Sequence, residues 1–194
     1  MYELKNFENL IGIKGFSEQL LRNHFALYQG YVTNTNKLID SLTAMLKEGK
    51  TTILEFAELK RRFGWEFNGM KLHEYYFGNL CKSNKKLNKN SKLFKKIIED
   101  FGSYENWEKE FKAMAAMRGI GWVILYYDKK ANRLFNVWIN EHDVGHLSGG
   151  ILILVMDVFE HAYMTDYGIK KADYIENFFG VIDWDVVTKR FDKE

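Results

Sequence analysis

The stretch from Ile151 to Tyr163, ILILVMDVFEHAY, decides how the rest of the chain is read. Its first six residues, Ile151 to Met156, are apolar, a length that suits a buried strand. The run ends on Asp157, and His161 follows four residues later with Glu160 beside it. A strand that delivers a carboxylate, with an imidazole one turn on, places two metal ligands on rigid backbone. The same residues also suit a strand that runs into an ordinary helix. Asp157 is then its N-cap and His161 a packed or exposed side chain. The flanking sequence has to choose.

Immediately upstream lies NEHDVGHLSGG, residues 140–150, a polar loop with two histidines and three glycines. Before it come LFNVWI (134–139), a turn over 128–132, and the β-rich run WVILYY (122–127). A hairpin and a third strand predict a small antiparallel sheet flanked by helices. Downstream, Asp173-Tyr-Ile-Glu-Asn-Phe-Phe and Asp183-Trp-Asp read as two short helices opening on capping-type residues.

The first half has a different period. From Ser17, a plain N-cap, Leu20, Leu21, His24, Leu27, Tyr28, Tyr31, Val32 and Thr35 recur at three-and-four spacing. The pattern continues through Leu38, Leu42 and Leu46 until Gly49 stops it. Thr52-Ile-Leu-Glu55 has the form of a capping box for a second helix, whose face carries Phe56, Leu59, Phe63, Phe67, Met70 and His73. Two long helices with a short glycine-containing link predict an antiparallel hairpin. Residues 82–92, KSNKKLNKNSK, are basic and polar and read as a solvated linker. The alternative, a phosphate-binding segment, lacks interleaved aromatics to stack bases. Leu93 to Phe101 is a short helix closed by Gly102, and Ser103 caps another through Trp107, Phe111 and Met114.

Composition narrows the class. The 194 residues are 46% apolar and 16% aromatic, enough for a packed core. A net charge of +2 gives no global field for nucleic acid. A single cysteine, Cys81, excludes an intramolecular disulfide framework and fits a reducing, cytoplasmic setting. The N-terminal MYELKNFENL is too polar for a signal peptide, and no run of 18 apolar residues spans a membrane. Of five histidines, His24 and His73 lie on apolar helix faces and His161 follows Asp157 at a strand end. A lone histidine on such a face is also an ordinary satisfied core residue. Three imidazoles and a carboxylate suit iron, manganese or zinc, and the lack of thiolates argues against a structural zinc site.

Over nearly its whole length the sequence resembles the iron/manganese superoxide dismutase family. Asp157-Val-Phe-Glu-His-Ala-Tyr163 is similar to that family's D-x-W-E-H-A-Y signature, with Phe159 for Trp. Tyr31-Val-Thr-Asn-Thr-Asn36, Asn68 to Tyr76, Gly119-Ile-Gly-Trp122, Asp173 to Phe178 and Asp183-Trp-Asp185 resemble further family segments. The resemblance implies an α+β fold in two parts. Residues 1–84 form an N-terminal long helical hairpin domain. Residues 85–194 form a C-terminal domain with a three-stranded antiparallel sheet flanked by helices. It also implies disproportionation of the superoxide anion, one Fe or Mn ion per chain, and a homodimer or tetramer.

The implied ligands are His24, His73, Asp157 and His161. Counting forward from Phe16 puts His24 on the ligand position, whereas counting back from Tyr31 puts Asn23 there. Loss of a helical bulge reconciles the two counts in favour of His24, since Asn ligates such ions poorly. Tyr31 is expected over the site, and His142 takes the place of the residue that hydrogen-bonds bound solvent, because Gly69 stands where the iron-type Gln would be. Trp122 and Trp138 are expected to wall the cavity. Glu160 is expected to bridge to a partner's ligand His, and Lys171 to attract the anion at the mouth. The family's gateway His is replaced by Leu27 or Tyr28 and its Tyr partner by Met164. A metal-binding protein on the same fold with weak or lost activity is the alternative. His146 has no counterpart in this reading.

Overall fold

Ser17 starts the first helix as its chemistry requires: its hydroxyl accepts the Leu20 N–H at 3.0 Å. The computed structural model, which describes residues 1–83 and 85–194, carries this helix, α1, over Glu18–Lys47. Gly49, at φ +70°, closes it. The buried face follows the apolar spacing at Leu20, Leu21, His24, Tyr28, Val32 and Leu38. Leu27 and Leu46 depart from it; both are exposed, at 42% and 65%. The second helix, α2 (Leu54–Gly78), starts one residue later than its sequence signature. Ile53 is the N-cap and the capping box at Thr52 does not form. A hydroxyl one position outside the cap cannot reach the first free N–H groups. Tyr28 Oη donates to Glu74 at 3.3 Å and Asn34 Nδ2 to Glu66 at 3.4 Å, so the two helices run antiparallel.

The connection after α2 is irregular through Ser91, and Asn84, at the expected domain boundary, lies outside the described residues. It is not solvated along its length. Leu87 is buried, and Lys85 Nζ pairs with Asp183 at 3.2 Å and Asp185 at 2.8 Å. Helices α3 (Lys92–Phe101) and α4 (Tyr104–Ala115) begin on Ser91 and Ser103, each accepting a helix N–H.

Strands β1 (Gly121–Asp128), β2 (Arg133–Asn140) and β3 (Ile151–Asp157) form one antiparallel sheet in the order β2-β1-β3. The central strand is buried from Gly121 to Tyr127, which accounts for its unbroken apolar run rather than an alternating one. Leu125 pairs with Leu154 and Tyr126 with Leu152, so Ile153 is the extra residue of a bulge in β3. Past the bulge, Trp122 pairs with Asp157, setting the carboxylate at the strand's end beside a fully buried tryptophan.

Helices α5 (Met164–Tyr167), α6 (Lys171–Gly180) and α7 (Trp184–Asp192) complete the chain. Asp173 lies inside the first turn of α6, whose cap is Lys170, so it is not the expected cap. Asp183 does cap α7, accepting from Asp185 N and Val186 N. Arg190 of α7 donates to the carbonyls of Ile153 (3.1 Å) and Tyr75 (3.3 Å) and to Asn79. Asn79 in turn donates to Val155 O at 2.6 Å. One cation thereby ties the end of α2 to the sheet that carries Asp157.

Candidate metal centre

Four donors from both halves of the chain meet where α1, α2 and the end of β3 converge. His24 of α1 and His73 of α2 face each other with ring centroids 5.0 Å apart. Asp157 is the last residue of β3, and His161 sits in a single 3-10 turn, Glu160–Ala162, rather than on an α-helix. One donor atom from each residue lies within 4.8 Å of the others. His24, His73 and Asp157 are fully buried, and the His161 side chain is 23% exposed.

The Asp157 carboxylate divides its labour. Oδ1 accepts the Phe159 N–H at 2.8 Å and so fixes the turn that presents His161. Oδ2 faces three imidazole Nε2 atoms, at 3.1 Å (His24), 3.2 Å (His161) and 3.7 Å (His73). The main chain is held as well, since Tyr174 Oη donates to Asp157 O at 2.7 Å. Asp157 is not a helix N-cap, since Phe159 holds that position before the turn; one carboxylate oxygen fixes the local backbone and the other faces the imidazoles.

The two helix histidines differ in their support. His73 Nδ1 lies 2.6 Å from Gly69 O. A carbonyl only accepts, so Nδ1 carries the proton and Nε2 presents its lone pair to the cluster. That Nε2 is buried and has no hydrogen-bond partner, as is His24 Nδ1. Asn23 is exposed and accepts from Gln19 at 2.8 Å, so the cluster contains His24 and not Asn23. Helix α1 is α-helical throughout, which brings Tyr31 back over the same face two turns after His24.

Electrostatics favour a ligating state. Burial lowers the pKa of both His24 and His73 and keeps their rings neutral. Burial alone would raise the Asp157 carboxyl, but His161 and His24 outweigh it and hold it below the usual carboxylate range. Two neutral helix imidazoles beside an ionised carboxylate are the protonation states that a divalent or trivalent ion requires of them.

Beside the cluster, Tyr31 stacks on His73 at 5.2 Å, and its hydroxyl is 2.8 Å from His142 Nε2. Trp122 Nε1 donates to His142 Nδ1 at 3.0 Å. His142 is fully buried, not a solvated loop residue, and burial lowers its pKa to about 4. Gly69 explains how Tyr31 fits. A Cβ at residue 69 would come within 2.6 Å of the Tyr31 ring, so a side chain there and this tyrosine position exclude each other.

The family model for the C-terminal domain of iron/manganese superoxide dismutases matches residues 89–190. The chain belongs to this family. The iron superoxide dismutase of Aquifex pyrophilus is 39% identical over 186 residues, covering 93% of this chain and 86% of the relative. The manganese superoxide dismutase 2 of Haloferax volcanii is 36% identical over 178 residues (91% and 87%). The iron superoxide dismutase of Methanothermobacter thermautotrophicus is 35% identical over 177 residues (90% and 85%).

Around the core of this superoxide dismutase fold, the remaining residues of interest take varied positions. Trp122 abuts His73, with centroids 5.0 Å apart. Trp138 instead lies under Lys171 Nζ, 5.7 Å from the ring centroid. Lys171 also donates to Met117 O at 3.1 Å, and burial lowers its pKa. Glu160 is exposed beside His161. Leu27 and Met164 are 42% and 43% exposed, while Tyr28 is buried with its hydroxyl on Glu74. Trp65 was not anticipated: its ring is 5.5 Å from Tyr31 and 4.5 Å from His142, and Nε1 donates to Glu141 at 3.0 Å. It lies off the helical stripe between Phe63 and Phe67, and its partner is on a distant loop, so no local pattern announces it.

Proposed function

We infer that this chain is an iron- or manganese-dependent superoxide dismutase that converts superoxide to dioxygen and hydrogen peroxide. The observation that carries the reading is the buried, unpartnered Nε2 of His73 aimed, with two further imidazoles, at one oxygen of a buried carboxylate. A buried polar atom without a partner is costly, and a metal ion supplies the missing one. His24, His73, Asp157 and His161 are its ligands in this reading. The donor set fits iron and manganese equally, and relatives of both kinds match the chain. Held by these four residues, iron or manganese would supply the one-electron oxidation and reduction through its +3 and +2 states.

The chain's own residues supply the proton and the shelter. With His142 Nδ1 occupied by Trp122, His142 donates from Nε2 to the Tyr31 oxygen. The Tyr31 hydroxyl proton is then free to point toward the cluster. Burial raises the pKa of Tyr31, so the phenol keeps that proton at neutral pH. Peroxide formation consumes protons, and a phenol held beside His73 is placed to give one. Trp65, Trp122 and Phe159 enclose the pair and exclude bulk water.

The finer assignments belong to the same reading. Lys171 attracts the anion at the site's edge. Glu160 pairs with His161 of a second copy across a two-fold axis, giving a homodimer or a tetramer. The chain divides near residues 84 and 85 into a hairpin domain and an α/β domain, with the centre between them. No described helix is long and apolar enough to cross a membrane. The single cysteine supports a cytoplasmic setting.

Elemental analysis and a superoxide-scavenging assay on one native preparation test this. About one Fe or Mn per chain with high turnover is expected. A filled site without turnover would support the alternative of a metal-binding relative, and the exposed Leu27 and Met164 mark where access has changed.

A further inference from the structure

The loop between β2 and β3 carries a second histidine, His146, that has no part in the mechanism above. Both of its ring nitrogens are engaged. Nδ1 lies 2.6 Å from Tyr126 Oη, and Nε2 lies 2.9 Å from the carbonyl oxygen of His142. The carbonyl only accepts, so Nε2 carries the proton, and Nδ1 accepts from the phenol. Tyr126 is buried and follows Trp122 by four residues on β1, so the two side chains share a face of the sheet. They make two rungs to the loop. Trp122 holds the His142 ring, and Tyr126, through His146, holds the His142 main chain.

The loop needs such a hold. Glu141 sits at φ +49°, so the backbone just before His142 is in a left-handed conformation that a residue with a side chain seldom keeps unrestrained. Gly150 is pressed to the Tyr126 ring, where an added Cβ would come within 2.7 Å. Tyr126 is therefore the fixed post against which the loop is set at His146 and at Gly150.

We propose that His146 is a positioning residue: latched to Tyr126, it fixes the His142 main chain and thereby aims His142 Nε2 at the Tyr31 hydroxyl. Its effect on turnover rests on the dismutase reading; its effect on His142 does not.

Three variants test it: His146→Ala, Tyr126→Phe and His146→Gln. The last can accept from the phenol and donate to the carbonyl. In the metal-free protein, the nitrogen-bound proton of the His142 ring is followed by NMR. In the metal-loaded protein, turnover is measured across pH together with metal content. His146→Ala and Tyr126→Phe are expected to speed exchange of the His142 ring proton. They should also lower turnover about tenfold at unchanged metal content and move the pH profile. His146→Gln is expected to restore most of each. Should His146→Ala not fold, Tyr126→Phe, which keeps the buried ring, decides alone. Wild-type exchange of the His142 proton in Tyr126→Phe, or a wild-type pH profile in that variant, would overturn the proposal. A wild-type protein that takes up no metal or does not turn over would instead overturn the dismutase reading, and the NMR measurement would still decide the role of His146.

Discussion

His24 and His73 reach the centre from two separate helices, whereas Asp157 and His161 reach it from one short stretch at the end of β3. On the sheet side the geometry is local. The Asp157 carboxylate fixes the turn that carries His161, so one residue places itself and its neighbour. On the helical side nothing local joins the two donors. His73 is oriented by its own helix through Gly69 O, and His24 by the distant Asp157 carboxylate and the rings around it, among them Tyr76 and Phe77. The difference separates a side whose geometry is encoded in a few consecutive residues from one that exists only once two helices have packed.

That contrast is testable, beginning with the sheet side. Asp157→Ala removes the one group that touches every imidazole, and elemental analysis is expected to show metal falling from one ion per chain to background. Full occupancy in that variant would remove Asp157 from the ligand set. On the helical side, His24→Ala should lose most of its metal while Asn23→Ala, on the surface, keeps it. Equal metal in the two would break the assignment of His24.

Gly69→Gln probes the support of His73 and the seat of Tyr31 together. The new side chain must displace the Tyr31 ring, at a cost of about 1–3 kcal/mol in denaturant unfolding. Turnover should fall while metal is retained, and a variant as stable and active as the parent would show that the ring has room to move.

The pH dependence has a defined sign. His142 is neutral in the fold down to about pH 4, against 6.5 for the free side chain. Between these values the unfolded chain binds the extra proton and the native chain does not. Stability of the metal-free protein should therefore fall as pH drops through this window and level off above it. A His142→Gln variant should reduce that slope, leaving the part that the buried His24 and His73 contribute, as read from unfolding midpoints. The smallest expected effect is that of Glu160→Ala, which should leave the metal in place and weaken the proposed dimer. An unchanged sedimentation profile would argue against the bridge.

What could be read from the sequence follows the same division. The end of β3 was legible because its chemistry is consecutive: an apolar run, an aspartate, a histidine four residues on. The helices were legible as elements, since spacing reports burial. That His24 and His73 meet was legible only through the family resemblance. Periodicity also placed Leu27 on the buried face, where the structure exposes it, because spacing gives an angular sector and not its edge. The Thr52 capping box failed by one residue, since a helix start is settled by packing as well as by the cap. Trp65 and the Tyr126–His146 latch were illegible, because each contact joins elements far apart in the chain through a loop of irregular backbone.

The distance in sequence between the donors has a consequence for biosynthesis. His24 and Asp157 are 133 residues apart, and the Arg190–Asn79 tie spans 111. A nascent chain made at about 5–20 residues per second therefore spends several seconds with two helix histidines and no carboxylate to meet them. The four-donor set is complete only after the β3 end has left the ribosome and docked against the helical hairpin.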